Sequence, residues 1–127
     1  MKVSGKSALG KRGEDEVCTY LEGIGHTILE RNYRYGHLEV DVISAADDGI
    51  HFVEVKSRTA PVNAAPQDAV DWRKQRNLAS AARRYMGHVV SPVLRDKEIW
   101  LDVAAVVFDG GETRIEYFPG AVQPLYL

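Results

Sequence analysis

The amino-acid sequence predicts an α/β fold in which helices pack against a β-sheet. Two segments carry apolar residues at the three- and four-residue spacing of a helix with one buried face. Five other segments are short and rich in Val, Ile, Phe and Tyr, as strands are. The segments follow one another as helix, three strands, helix, two strands. We therefore expect one sheet, flanked by helices, with the element order α-β-β-β-α-β-β.

The first helix is expected to begin after Ser7, whose hydroxyl can accept a hydrogen bond from the first turn. Its inward stripe should consist of Val17, Tyr20, Leu21 and Ile24. Gly23 and Gly25 then favour an end to the helix, because glycine readily adopts the left-handed conformation there. The second helix is expected over residues 67–86, after a proline-containing loop. Its inward residues should be Leu78, Ala82 and Tyr85.

The five strands are expected at residues 27–35, 38–45, 50–57, 99–108 and 113–118. The second and third are separated by Asp47, Asp48 and Gly49, a short turn in which glycine can adopt a positive φ. They should therefore form an antiparallel hairpin. The fourth is almost continuously apolar, which is typical of a strand covered on both faces. The last should lie at an edge of the sheet.

Length and composition favour one soluble globular domain over residues 1–127. The chain has 45% hydrophobic and 27% charged residues and a net charge of −2. Its longest apolar run, residues 103–108, is far shorter than the ~20 residues of a membrane helix. The first twelve residues lack the apolar stretch of a secretory signal. With one cysteine, Cys18, the chain cannot form an internal disulfide, so we expect a reducing, cytoplasmic location.

The charges are unevenly distributed along the chain. Residues 1–12 and 67–87 have an excess of basic side chains, whereas residues 96–127 have an excess of acidic ones. Such an asymmetry can present a basic face to the phosphates of a nucleic acid despite an acidic total. The alternative is that these are ordinary solvated helix faces, and the charge distribution alone favours that alternative.

Charged residues interrupt both strands of the predicted hairpin. Alternation along a strand places Glu39 and Asp41 on one face, and Glu54 and Lys56 share a face with Phe52. The face opposite the two acids should carry Leu38, Val40 and Val42. Burial of a charge costs several kcal/mol unless the charge is paired or binds a metal. Two explanations remain open: cross-strand ion pairs on a half-solvated face, or a divalent-metal site built from carboxylates.

The spacing D-x12-E-V-K, from Asp41 to Glu54 and Lys56, resembles the PD-(D/E)XK nuclease superfamily. Similar motifs occur in the same order over most of the chain: G-K-R-G-E at residues 10–14, E-R-N-Y-R at 30–34, L-E-V-D-V-I at 38–43, F-V-E-V-K-S-R at 52–58, K-Q-R at 74–76 and L-D-V-A-A-V at 101–106. Together they resemble the YraN-type family, small proteins related to archaeal Holliday-junction resolvases. The resemblance implies a restriction-endonuclease-like mixed sheet.

The resemblance also implies roles for individual residues. Asp41 and Glu54 would bind Mg²⁺ or Mn²⁺ with the backbone carbonyl of Val55, and Lys56 would activate water or stabilise charge. Glu14, on the first helix, would complete the site directly or through water. Gln75 is expected to point toward the sheet, where it would support the metal site or contact phosphate. The candidate phosphate contacts are Arg12, Arg34, Arg58, Arg73, Lys74 and Arg76.

The side chains of Glu39 and Asp102 each have two possible roles. Glu39 shares a face with Asp41 and is either a further ligand or contact at the site or an ion-pair partner of Lys56 or Arg58. Leu38 stands before it where the family usually has glycine, so the turn into this strand is expected to differ. Asp102 lies within apolar sequence and is either buried and hydrogen-bonded or near the site.

The resemblance implies a divalent-metal-dependent DNA endonuclease acting on branched or damaged DNA. One alternative is a nucleic-acid-binding module on the same fold with weak or lost catalysis, and another is a structural partner protein that uses the sheet edge. Cleavage of a two-fold-symmetric junction would need two active sites, so a homodimer is expected if that is the activity. The candidate dimer surface lies around Trp100 and residues 122–127, although that tail could equally fold back on the core.

Overall fold

The computed structural model describes residues 6–62, 72–88 and 91–122. Its elements are α1 (Ala8–Gly23), β1 (Thr27–Tyr35), β2 (Leu38–Ala46), β3 (Gly49–Thr59), α2 (Trp72–His88), α3 (Pro92–Arg95), β4 (Ile99–Asp109) and β5 (Glu112–Phe118). The predicted order of helices and strands is confirmed. The single-turn helix α3, which has proline in its first turn, is the one described element that the sequence pattern did not predict.

The five strands form one mixed sheet in the order β1-β2-β3-β4-β5. Neighbouring strands are antiparallel except β3 and β4, which run parallel. A parallel pair needs a crossover connection, and α2 lies within the segment that joins β3 to β4. The predicted hairpin of β2 and β3 and the predicted edge position of β5 are confirmed.

The two long helices cover opposite faces of the sheet. The face under α1 includes Val17, Leu21, Val42, Val53 and Val106, and the face under α2 includes Val40, Phe52, Leu78, Ala82 and Leu101. The middle of β4 contributes side chains to both clusters and is buried throughout, as predicted for a strand covered on both sides. Among the described residues, no helix is long and apolar enough to cross a membrane.

Helix α1 begins where the sequence predicts, because the Ser7 hydroxyl accepts a hydrogen bond of 3.1 Å from the Gly10 N–H. Its predicted stripe is partly wrong. Val17 and Leu21 are fully buried, but Tyr20 is 36% exposed and Ile24 is 50% exposed. Ile24 lies outside the stripe because it is the C-cap residue, where the chain leaves the helical path. Buried positions of the same stripe are instead Gly13, Glu14 and Cys18.

Helix α2 buries Leu78, Ala82 and Tyr85 against the sheet, as predicted. The first part of its predicted span, residues 67–71, and the proline-containing stretch up to residue 66 include positions outside the described residues. Most of the predicted C-terminal dimer surface, residues 123–127, also lies outside them. Within the described part, Val122 is buried and its N–H donates to the Leu101 carbonyl at 3.1 Å, so the chain there packs on the core.

Strands β2 and β3 separate partway along their length. They pair from Ala46 and Gly49 to Val42 and Val53. Beyond that point β2 continues to pair with β1, and β3 continues to pair with β4. We call this divergence the fork. It opens a cleft within the sheet between two strands that are adjacent in sequence.

The fork also breaks the alternation predicted for β2, and that prediction is wrong at one position. Val40 packs under α2, whereas Val42 packs under α1, although alternation would give both residues the same face. The neighbouring strand is irregular at the same level, since Asn32 has a φ of 53° between the pairs Tyr33–Val40 and Arg31–Val42. Asparagine tolerates this left-handed conformation better than most residues. The irregularity lies beside Asp41.

Candidate functional site

The cleft at the fork has a volume of about 380 Å³. Its described lining is polar, and includes Glu39 and Asp41 from β2, Glu54 and Lys56 from β3, and Lys74 and Asn77 from α2. Lys6 and His37 also contribute to it. Residues separated by more than sixty positions in the sequence therefore face one concave surface, and most of them belong to the predicted set.

Asp41 is held across the fork by the backbone of β3. Its Oδ2 accepts a hydrogen bond of 2.8 Å from the Val55 N–H. This N–H is available because β2 and β3 no longer pair through their backbones at this level. The hydrogen bond places the Asp41 carboxylate beside the segment that carries Glu54 and Lys56.

Glu14 reaches the same region because α1 approaches β3 closely at Gly13. A Cβ atom at Gly13 would lie 1.7 Å from Ser57 Oγ and 2.9 Å from Ser57 Cβ, so a side chain there would push the helix away. The Glu14 side chain is 2% exposed. Its two carboxylate oxygens are engaged in ion pairs, including one of 3.6 Å between Oε1 and Arg31.

Lys6 lies at the centre of the acidic side chains. Its Nζ is 2.5 Å from Asp41 Oδ1, 2.8 Å from Glu14 Oε2 and 3.3 Å from Glu39 Oε2. Burial by itself would lower the pKa of Lys6, but the hydrogen bonds and charges of Asp41 and Glu14 outweigh it and hold the pKa above its usual value. The sequence pattern placed Lys6 only in the basic segment of residues 1–12 and did not predict this position. We call Lys6, Glu14, Glu39 and Asp41 the carboxylate cluster.

Glu54 and Lys56 face the cleft from β3. Burial, together with the negative charge of Asp41, raises the pKa of Glu54 to about 7 against the attraction of Lys56, whose Nζ is 3.7 Å from Glu54 Oε2. Burial also lowers the pKa of Lys56, and contact with the Lys74 ammonium lowers it further. Both groups therefore exchange protons closer to neutral pH than they would in water.

The other predicted contacts are spread around the cleft. Arg73 and Arg76 are exposed on α2, and Gln75 beside them is half-buried, while Lys74 and Asn77 line the cleft. Arg34 lies 3.5 Å from Glu39 Oε1, which gives Glu39 two basic partners. The described ion pairs thus join Glu39 to Lys6 and Arg34, rather than to Lys56 or Arg58. Arg12 is not among the described residues that line the cleft, and its guanidinium lies over the Phe108 ring, 4.2 Å from the ring centroid.

The donor chemistry of the site suits a hard divalent cation, because buried carboxylate oxygens predominate. As it stands, however, the arrangement does not form such a site. In the stretches 6–62, 72–88 and 91–122, no group of three or more His, Cys, Asp and Glu side chains has a geometry that could hold a metal ion. The cation that three of these carboxylates do surround is the ammonium of Lys6.

A second polar group lies near the start of β3 and is separate from the cleft. His51 is 2% exposed and lies between two carboxylates, with Nδ1 2.6 Å from Asp102 Oδ2 and Nε2 2.7 Å from Asp48 Oδ1. Burial opposes protonation, but the two carboxylates prevail and raise the pKa of His51. The Tyr117 hydroxyl also donates to Asp102. Of the two interpretations of Asp102, the buried and hydrogen-bonded one is therefore the one observed.

Comparison of the amino-acid sequence with known proteins finds a matching family. Residues 13–106 match the uncharacterised protein family UPF0102. A UPF0102 protein of Bacteroides thetaiotaomicron is 35% identical over 116 residues, which cover 91% of this chain and 93% of the relative. One from Anaeromyxobacter dehalogenans is 37% identical over 118 residues, with 92% and 85% covered. One from Chlorobium chlorochromatii is 45% identical over 78 residues, with 61% and 60% covered.

Proposed function

The chain belongs to the uncharacterised protein family UPF0102, the YraN family predicted from its motifs, and from that premise we propose that it is a divalent-metal-dependent DNA endonuclease. It would hydrolyse phosphodiester bonds, with branched or damaged DNA as the substrate class. The observation that carries the proposal is the fork, which brings Asp41 of β2 and Glu54 and Lys56 of β3 to one cleft. A purely structural sheet has no need to open its centre around charged side chains.

The residues of the cleft suit phosphodiester hydrolysis. Asp41, Glu54 and the Val55 carbonyl, with Glu14 behind them, would hold Mg²⁺ or Mn²⁺. The bound ion would neutralise the phosphate charge and acidify a water molecule. Lys56 would donate a hydrogen bond to the phosphate or to the attacking water, and its lowered pKa eases proton exchange with that water.

The basic residues of α2 extend the cleft toward substrate. Lys74 lines it, and exposed Arg73 and Arg76 are on the same helix. Such contacts would attract the DNA backbone without reading its sequence, so binding should weaken as salt is raised. This agrees with a substrate recognised by its structure. If the substrate is a junction, a second copy of the chain would supply the second cut, and the molar mass of the protein–junction complex would show it.

The test is cleavage of labelled four-way junction, flap, linear duplex and single-stranded DNA in Mg²⁺, Mn²⁺ or EDTA. The variants are Glu54→Ala and Lys56→Ala. Their charge-matched controls are Glu112→Ala and Lys97→Ala, which change exposed residues away from the cleft. We expect metal-dependent cleavage that each site variant reduces at least about 100-fold and each control leaves unchanged. Equal loss in a site variant and its control, or cleavage that persists in EDTA, would contradict the proposal.

A nucleic-acid-binding module without catalysis is the second candidate. The observation that favours it is the carboxylate cluster, where Lys6 already neutralises side chains that would otherwise repel phosphate. This candidate predicts salt-sensitive DNA binding with no cleavage in any metal ion, and no effect of Glu54→Ala on binding beyond a change of charge. Absence of both DNA binding and cleavage would instead favour the structural role.

A further inference from the structure

Lys6 occupies the position of a bound cation in the carboxylate cluster. Its ammonium lies within 3.3 Å of an oxygen from each of Glu14, Glu39 and Asp41. The Lys6 side chain is 18% exposed, and those of Glu14 and Asp41 are 2% and 8% exposed. Carboxylates buried to this extent need a positive partner, and in this structure the partners of Glu14 and Asp41 include Lys6.

A metal ion and the Lys6 ammonium would compete for the same oxygens. Asp41 Oδ2 is already engaged by the Val55 N–H, so Oδ1, which contacts Lys6, is the oxygen of Asp41 left for a cation. Glu14 presents Oε2 to Lys6 in the same way. Two positive charges within hydrogen-bond distance of shared oxygens repel each other strongly in a partly buried site. Binding of a metal ion there must therefore displace Lys6.

The position of Lys6 in the chain makes this displacement simple. Helix α1 begins at Ala8 and is capped by Ser7, so Lys6 lies before the helix and its cap. A rotation of its side chain would release the ammonium and leave the capping hydrogen bond and the helix intact. No element of the sheet needs to move.

We propose that Lys6 is an internal cation that holds the carboxylate cluster in the metal-free protein and is displaced when Mg²⁺ or Mn²⁺ binds. The proposal rests on the metal site of the proposed function and adds to it a residue that weakens metal binding. Lys6 would then set the concentration of metal ion at which the site fills.

The first test is Mn²⁺ binding by the full chain, followed by electron paramagnetic resonance of the free ion. The variants are Lys6→Met, which keeps the apolar length of the side chain, and Lys11→Met, which removes an exposed lysine of α1. If Lys6 occupies the cluster for nine-tenths of the time, its removal should tighten the apparent Kd about 10-fold. Lys11→Met should bind as the unmodified chain does. Equal or weaker binding by Lys6→Met would overturn the proposal.

The second test needs no variant and so does not depend on the folding of Lys6→Met. The intact protein is labelled briefly with acetic anhydride, with and without saturating Mn²⁺, and each lysine is quantified by mass spectrometry. Labelling of Lys6 should rise several-fold when Mn²⁺ is bound, because the displaced amine loses its carboxylate partners. Labelling of Lys11 in the same sample should stay constant. Lys6 labelling that is unchanged or reduced by Mn²⁺ would overturn the proposal.

The outcome of these two tests is independent of the outcome of the DNA cleavage test. Tighter Mn²⁺ binding by Lys6→Met, without cleavage of any DNA, would support the role of Lys6 and contradict the endonuclease. Metal-dependent cleavage, with the same Mn²⁺ affinity in both proteins, would support the endonuclease and overturn the role of Lys6.

Discussion

Substitution of Gly13 by alanine tests whether the close approach of α1 to β3 shapes the site. The added Cβ would lie 1.7 Å from Ser57 Oγ and 2.9 Å from Ser57 Cβ. The hydroxyl could rotate away, but the Cβ is attached to the β3 backbone and cannot. The helix must therefore shift outward, and it would carry the carboxylate of neighbouring Glu14 away from β3.

The magnitude follows from two opposing effects. Alanine in place of glycine within a helix stabilises by about 1 kcal/mol, whereas overpacking of a buried contact costs about 1–3 kcal/mol. Because the overlap at Gly13 is severe and involves a backbone-attached atom, we take the upper value, which leaves a net loss of about 2 kcal/mol. For a chain of this length, that loss corresponds to a Tm lower by about 8 °C.

The assay is urea and thermal unfolding of Gly13→Ala beside a matched control, Gly23→Ala. A Cβ at Gly23, at the other end of the same helix, would meet nothing within 4 Å, so this control should be neutral or slightly stabilising. Ser57→Ala removes a buried hydroxyl oxygen that has no hydrogen-bond partner among the described residues, and should itself cost little. Because alanine keeps the Cβ of residue 57, 2.9 Å from the added atom, combining it with Gly13→Ala should leave most of the loss in place. Gly13→Ala as stable as Gly23→Ala would refute the reasoning.

Two further predictions concern pH, both with EDTA present. The pKa of His51 is higher in the folded protein than its usual value near 6.5, so the protonated imidazole stabilises the fold fully below about pH 6.5. This stabilisation is lost as the pH rises through the pKa of His51 in the folded protein. The urea midpoint of the unmodified protein should therefore exceed that of His51→Gln by more at about pH 6 than at about pH 9; an equal difference would contradict it. The pKa of Glu54 is raised to about 7, so its ionisation opposes folding as pH rises. Glu54→Gln should therefore be about 1–3 kcal/mol more stable than the unmodified protein at about pH 8 and equally stable at about pH 4, whereas lower stability at both would count against it.

Local patterns were sufficient for every described helix and strand except α3. Strand β1 spans the predicted residues 27–35, and α1 begins after the predicted cap at Ser7. These predictions succeeded because each element has one buried face or a short-range signal, and such signals lie within a few residues. The family was also predictable, since its motifs are spread in order along the chain.

The arrangement of the site depends on contacts between distant residues, and these were predicted less well. Alternation placed Val42 with Val40, but the fork reverses it, and the fork arises from how β2 pairs with two other strands. The contact of Lys6 with Asp41 spans 35 residues, and no local spacing indicates it. One local signal was available. Asparagine is a residue type that tolerates positive φ, and Asn32 lies on β1 at the level where β2 departs from alternation.

The fork has a consequence for solubility. Beyond Val53, β3 pairs with β4 on one side, and its other side faces the cleft instead of a strand. This is a sheet edge in the interior of the sheet, and unpaired edges invite aggregation through strand addition from another chain. Lys56 and Arg58 lie along it, and charged side chains on an edge discourage such pairing. The positive charges of the proposed phosphate contacts would thus also discourage one molecule from pairing with the next.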